Sequence, residues 1–339
     1  MAHRSLWTFI NRSTQIVCAM MSVTLNSLLI YLIFTKSHKM IGRYKYLMIY
    51  ICVFEVLYSF VDVITEPYVH SYASRVLVIV NVKYSMFSRE VNQIFEALIC
   101  GFYGCSMAIF AVQFIYRYGS LHRSHRMKFF GNRSLFLWCS LPIVYGTVWS
   151  LIIYYVFPGN PLFTEIIRKD ILNYYDFQME DVVYSGPFYF PTNPLEVLDW
   201  KVIGGRNVIS CMFSVIFFGL STYFHLRKSF NLQEQSSNLQ RQLFFALVLQ
   251  ATIPFILLYI PVAFVLICAL LRIDLGNISA IISYTVALYP AIDPVPTLYV
   301  IRDYRVACIN MVRGLKMTPT LPASAVSVSN PRCTAPVAR

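Results

Sequence analysis

Residues Ile278 to Arg305 read ISAIISYTVALYPAIDPVPTLYVIRDYR, and the reading of this stretch decides the fold. From Ile278 to Ile301 it carries no basic side chain. About two dozen helical residues, at ~1.5 Å each, are enough to cross the hydrocarbon layer of a bilayer. Inside the run stand Pro290, Pro294 and Pro296, each lacking a backbone donor, and one carboxylate, Asp293. Both features are costly in hydrocarbon. They persist where neighbouring helices or trapped water take up the freed polar groups. The run is therefore expected to be a bent helix facing a bundle interior, ended by the basic stop Arg302-Asp303-Tyr304-Arg305.

The rest of the 339 residues fits a membrane protein. Hydrophobic residues make up 57%, charged ones 13%, and the mean hydropathy is +0.58. A soluble domain carries roughly twice that share of charge. The net charge of +12 lies in short segments between apolar runs, which points to a membrane surface rather than to nucleic acid. Nine cysteines are scattered without C-x-x-C spacing, so neither a disulfide framework nor a zinc site is expected.

Seven apolar runs are long enough to span: Ser13–Thr35, Tyr46–Glu66, Gln93–Tyr116, Ser134–Phe157, Gly204–Leu226, Leu243–Leu271 and Ile278–Ile301. The fold expected is an all-α seven-transmembrane bundle over residues 1–316, followed by a disordered tail over 317–339 that is polar and proline-punctuated. Arg75-VLVIV-Asn81 is too short to cross and reads as a strand or interfacial piece. Basic residues crowd the short segments after spans one, three, five and seven, whereas the acids of the second long loop, Glu165 to Asp199, fall on the other side. The N-terminus is then outside and the C-terminus inside. The loop from Pro158 to Ile203, rich in Pro, Tyr and Asp, is either a lid over the outer mouth or a passive connector. In this topology the sequons at Asn11 and Asn277 face outward and the one at Asn132 inward; Asn11 is the expected glycosylation site.

Three polar side chains share a depth. Asn26 on span one, Glu55 on span two and Asp293 on span seven each lie eight or nine residues from the inner end of their span. That is roughly 12–14 Å from the inner face. They are expected to form an intramembrane polar network holding a proton, an ion or water; the plainer reading is neutral packing. Asp62 and Glu66 continue the Glu55 stripe toward the outside at i+7 and i+11.

Span three is rich in small residues (Gly101, Gly104, Ser106, Ala108, Ala111), which favours close packing and a central position. At its inner end Arg117 stands between Tyr116 and Tyr118. It is either an ordinary topology signal or part of an inner face with Tyr118, Arg123, Arg227, Lys228 and Arg305 that meets a partner protein. Pro254 and Pro261 on span six, with Pro290 and Pro294 on span seven, are the expected hinges.

No Gly-rich phosphate loop, nucleophile elbow or H-E-x-x-H motif occurs, so no enzyme activity and no cofactor or metal is expected. His122 and His125 stand two apart in a basic loop, away from any acid, and make no metal site.

Several segments together carry a resemblance: IGRYKYLMIYICVFEVLYS (Ile41–Ser59), GFYGCSMAIFAVQFIYRYGSLHR (Gly101–Arg123), FFGLSTYFHLRK (Phe217–Lys228), QRQLFFALVLQATIPFILLYIPV (Gln240–Val262) and YPAIDPVPTLYVIRDYR (Tyr289–Arg305). They resemble nematode seven-transmembrane chemoreceptors of the Str family. The resemblance implies a small-molecule odorant as ligand, a heterotrimeric G protein as partner and the ciliary plasma membrane of a sensory neuron as location, with a homo- or heterodimer possible. Rhodopsin-like receptors match less well: Tyr116-Arg117-Tyr118 lacks their acid, and Asp293-Pro294 stands for their Asn-Pro. The competing expectation is a ligand-gated cation channel of the seven-span odorant-receptor type, which places its N-terminus inside.

The ligand is expected among the outer halves of spans three, five, six and seven, at Glu96, Tyr103, Asn207, Ser210, Tyr259 and Tyr284. Aromatic walls with a few polar groups suit a small, mostly apolar molecule. The alternative for each tyrosine is an interfacial belt facing membrane lipid.

Overall fold

A computed structural model describes residues 2–37, 41–72, 75–83, 85–121, 132–159, 161–187 and 238–314. Span one is helix α1 (Ala2–Lys36), span two α2 (Tyr44–Thr65), span three α3 (Arg89–Leu121) and span four α4 (Asn132–Val156). The expected span five and the tail 317–339 lie outside the described residues. Span six is broken in the middle: α6 (Asn238–Pro254) passes through a π-helical turn, Phe255–Tyr259, into α7 (Ile260–Leu270). The loops contribute strands β1 (Tyr68–Tyr72), β2 (Arg75–Asn81) and β3 (Val182–Ser185), together with helix α5 (Pro161–Tyr175).

Span seven is broken as well. Helix α8 (Ile281–Ile292) stops before Asp293, and α9 (Pro294–Val300) restarts with a proline in its first turn. Neither piece alone is long enough to cross; five helices among the described residues are, counting span six through its π turn as one. Two proline pairs, Pro254/Pro261 and Pro290/Pro294, thus coincide with the two backbone breaks. Each proline withholds one helical hydrogen bond, and the wider π turn takes up the misfit in span six. The chain does not stop being helical at Arg302, as the basic stop implied. It turns at extended Ile301 and resumes as α10 (Arg302–Val312). The Tyr304 ring is fully buried there and its hydroxyl meets Ser37 Oγ at 2.7 Å.

Helix α3 is the central one: 72% of its apolar stretch is buried, against 17% for α4. Two glycines allow their close crossing. A Cβ on Gly101 would lie 2.7 Å from the Gly146 carbonyl oxygen, and one on Gly146 would lie 2.8 Å from that of Gly101.

The described part of the second long loop, residues 161–187, packs with β1 and β2 into one layer against an end of the bundle, called the lid below. β2 is the middle strand of an antiparallel sheet ordered β1-β2-β3, with Leu77 opposite His70 and Ile79 opposite Tyr184. Its unbroken apolar sequence follows from burial on both faces. Leu77 and Ile79 pack with Ile167, Ile171 and Tyr175 of α5, while Val76 packs on Val265, Leu266 and Ile282 of spans six and seven. Helix α2 is turned into this sheet by Glu66, which caps it in the left-handed region (φ 45°). The next residue is Pro67, and a residue before proline is pushed out of the helical region.

Candidate functional site

The proline break of span seven creates the polar centre. In an unbroken helix the Pro290 carbonyl would accept from the N–H of residue 294, but that residue is proline and has none. Asn26 of α1 supplies the missing donor: its Nδ2 lies 3.2 Å from the Pro290 oxygen, and also 3.1 Å from the Ser22 carbonyl. Three residues on, Asp293 accepts from Gln250 of α6, whose Nε2 is 3.0 Å from Asp293 Oδ2 and 3.3 Å from its backbone oxygen. The Glu55 carboxyl of α2 comes within hydrogen-bonding reach of Asp293, with Asn26 beside it.

Asn26, Glu55 and Asp293 are thus brought into one layer, and all three are essentially inaccessible. Two carboxyls this close hold together only with a proton between them, or with a cation or water. Oδ1 of Asn26, Oε1 of Glu55 and Oδ1 of Asp293 are buried without a protein partner. Aromatic rings close the layer on the side toward the lid, with Tyr58 and Tyr289 edge to face at 5.9 Å. Gln250 was not picked out from the sequence. A glutamine four residues before Pro254 carries a signal only when Asp293 is known to stand opposite.

The expected ligand residues fall into separate groups. Tyr103 and Tyr259 meet edge to face at 6.0 Å between spans three and six. Glu96 does not line an open cavity. It is fully buried, and its Oε2 accepts from Ser185 Oγ of the lid strand at 3.0 Å. Tyr284 is part-buried near Tyr68 and Tyr175 of the lid. Asn207 and Ser210 lie outside the described residues. An apolar groove of about 290 Å³ runs between α2, α3 and α4, lined by Phe54, Leu57, Phe102 and Ile143 and by none of the six.

The lid is fastened to spans three and seven. Arg89 donates to the Glu180 and Val182 carbonyls at 2.9 and 2.6 Å. The hydroxyls of Ser283 and Ser279 accept from the N–H groups of Val69 and Ser71, each at 3.2 Å. His70 is buried in this sheet, with Nδ1 3.3 Å from the Tyr175 hydroxyl and rings of Tyr174 and Tyr175 around it. Loss of hydration there holds its pKa down at about 4.

Two further sets of expected residues remain. Asn11 lies within α1, 2% exposed, with Nδ2 enclosed. A glycan has no room on that atom, so the expected acceptor is closed in this fold. At the end of span three away from the lid Arg117 and Tyr118 stand on the last turns of α3, and the neighbouring Tyr116 stacks on Tyr44 at 5.6 Å. Arg305 turns back on its own connection, donating to the Tyr299 carbonyl at 3.2 Å and covering the Tyr299 ring at 5.6 Å. Arg123, Arg227 and Lys228 lie outside the described residues.

Broken spans six and seven, a buried polar layer and a lid at one end define a receptor-type helix bundle. A family model described as "Serpentine type 7TM GPCR chemoreceptor Str" matches residues 11–309. The chain belongs to this family of seven-transmembrane chemoreceptors. It is 36% identical to "G-protein coupled receptor str-217" of Caenorhabditis elegans, over 87% of this chain and 88% of that one. It is 28% identical to "Serpentine receptor class r-10" of the same organism, over 92% and 93%. Squid rhodopsin shares the fold at a TM-score of 0.53 and 14% identity, covering 96% of this chain and 90% of the rhodopsin chain. The protein is thus a multi-pass membrane receptor of the G-protein-coupled class, and its family points to a receptor rather than an enzyme.

Proposed function

We propose that this receptor detects a small, mostly apolar odorant in the outer half of the bundle and signals to a heterotrimeric G protein at its inner face. The N-terminus would then be outside, in the ciliary membrane of a chemosensory neuron. The observation that carries the reading is the clasp at Asp293. Gln250 of proline-broken span six holds the carboxyl of proline-broken span seven, and Asn26 and Glu55 back it from spans one and two. A hydrogen-bonded layer across two hinged helices is an element with two arrangements, which a ligand can bias from one side. Tyr103 and Tyr259 stand outward of this layer, and Glu96 ties span three to the lid through Ser185. These groups, with Tyr284, Asn207 and Ser210, are the proposed ligand contacts. Arg117, Tyr118, Arg123, Arg227, Lys228 and Arg305 are the proposed G-protein face, where basic side chains complement an acidic partner.

The test is a second-messenger assay in cells expressing the chain, challenged with an odorant panel, alongside protease protection of an N-terminal tag. A dose-dependent response that Arg117→Ala abolishes at unchanged surface level supports the reading. An odorant-evoked current that persists when G proteins are blocked would put the channel mechanism in its place.

A further inference from the structure

The outer ends of spans one, two and seven enclose a second polar cluster that the clasp does not use. Asn11, Gln15 and Cys18 follow one another on α1 at intervals of four and three residues and share a face. Their register against α2 is fixed on both sides. Arg12 Nε pairs with Glu66 Oε1 at 3.2 Å, and Cys18 lies close to Asp62. Gln15 therefore stands level with the turn from Asp62 to Glu66. Asn11 reaches Tyr68 of β1, and Ala287 and Ala291 of span seven close the cluster against Cys18.

The polar groups here are withdrawn from water without compensation. Asn11, Gln15 and Asp62 are each 2% exposed or less. Asn11 Nδ2, both side-chain atoms of Gln15 and Asp62 Oδ1 are buried with no hydrogen-bond partner. Native structures leave few such atoms, and a group of them on facing turns of two packed helices marks the place of water or an ion. The charges say which. Glu66 is matched by Arg12, whereas the Asp62 carboxyl has no ion pair among the described residues, so it is neutral unless a cation supplies the counter-charge.

We propose that Asp62 and Gln15 form the core of a site for a small monovalent cation, either an alkali ion or the ammonium group of a small amine. Asp62 Oδ1 supplies the counter-charge and Gln15 Oε1 a neutral oxygen. The amide N–H groups of Gln15 and Asn11 donate to water carried in with the cation. One uncompensated carboxylate with neutral oxygens balances a single positive charge, and a divalent ion would call for more anionic oxygen. The site ties span one to span two beneath the lid, about two helical turns outward of Glu55.

The experiment is thermal unfolding of the purified full-length receptor in detergent. Sodium chloride, methylammonium chloride and N-methylglucamine chloride are compared at equal ionic strength, the last cation being too bulky to enter. We expect sodium, methylammonium or both to raise the midpoint saturably above the N-methylglucamine value, and the two arms tell the sources apart. Gln15→Leu and Asp62→Asn should abolish that increment, while Glu55→Gln, in the deeper layer, should keep it. Gln15→Leu decides alone if Asp62→Asn does not survive purification. Equal midpoints in all three salts would overturn the site. So would an increment that survives Gln15→Leu, or one that disappears only in Glu55→Gln.

Discussion

Asn26 donates through Nδ2 to the carbonyl oxygen of Pro290 at 3.2 Å, across 264 residues of sequence. The bond exists because Pro294 cannot supply the N–H that would otherwise satisfy that carbonyl. Replacing Asn26 by Leu should leave a buried carbonyl unpaired, at about 1–3 kcal/mol. The unfolding midpoint of the purified receptor should fall accordingly. Pro294→Ala restores the helical donor, so the loss from Asn26→Leu should be smaller in the Pro294→Ala background. Strict additivity of the two changes would show that they do not share one acceptor.

Gln250→Leu removes the donor to Asp293 Oδ2 while roughly keeping side-chain volume. With spans six and seven unclasped, basal second-messenger output should rise and the unfolding midpoint should fall. If both stay at wild-type values, the bond holds nothing in place.

Gly101→Ala and Gly146→Ala should each push α3 and α4 apart, since the new Cβ would meet a backbone oxygen at 2.7 or 2.8 Å. Overpacking of this kind costs about 1–3 kcal/mol. Gly104→Ala, whose nearest contacts are Trp149 side-chain atoms at 3.3 Å, should be milder. Surface expression scored by flow cytometry should rank Gly104→Ala above the other two.

The lid should weaken in acid. His70 has a pKa of about 4 in the closed lid against about 6.5 for a hydrated imidazole. The closed state therefore favours the neutral ring. Above about pH 6.5 neither state binds the proton and the contribution is complete. Between 6.5 and 4 the open lid binds a proton that the closed lid does not, and closure loses up to about tenfold per pH unit. Below 4 the loss levels off. Hydrogen exchange of the β1 and β2 amides, corrected for intrinsic rates, should lose protection across that window, and His70→Phe should flatten the profile.

Asn11→Gln should leave the electrophoretic mobility of the mature receptor unchanged after glycosidase treatment. A mobility shift in the wild type that this substitution removes would mean that the outer end of α1 opens away from Tyr68 and Glu66.

Much of this molecule was legible in the sequence because a bilayer imposes simple rules. Span length, the polar positions at Asn26, Glu55 and Asp293, the small residues of span three and the four prolines all follow from hydrophobic length and backbone chemistry. The same rules exposed Arg75–Asn81 as too short to cross, fitting either a strand or an interfacial piece, and only the fold showed a strand covered on both faces. Tertiary structure alone decided the partners. Which donor would take the freed Pro290 carbonyl, and that Gln250 would face Asp293, depend on the packing of helices far apart in sequence. The lid is the same case: that Glu96 of span three would accept from Ser185, 89 residues away, depends on the fold. The Asn11 sequon is a local motif that reads as an acceptor, and only the contact of α1 with β1 and α2 encloses it. Local chemistry names the groups that must be satisfied in a membrane, and the fold determines what satisfies them.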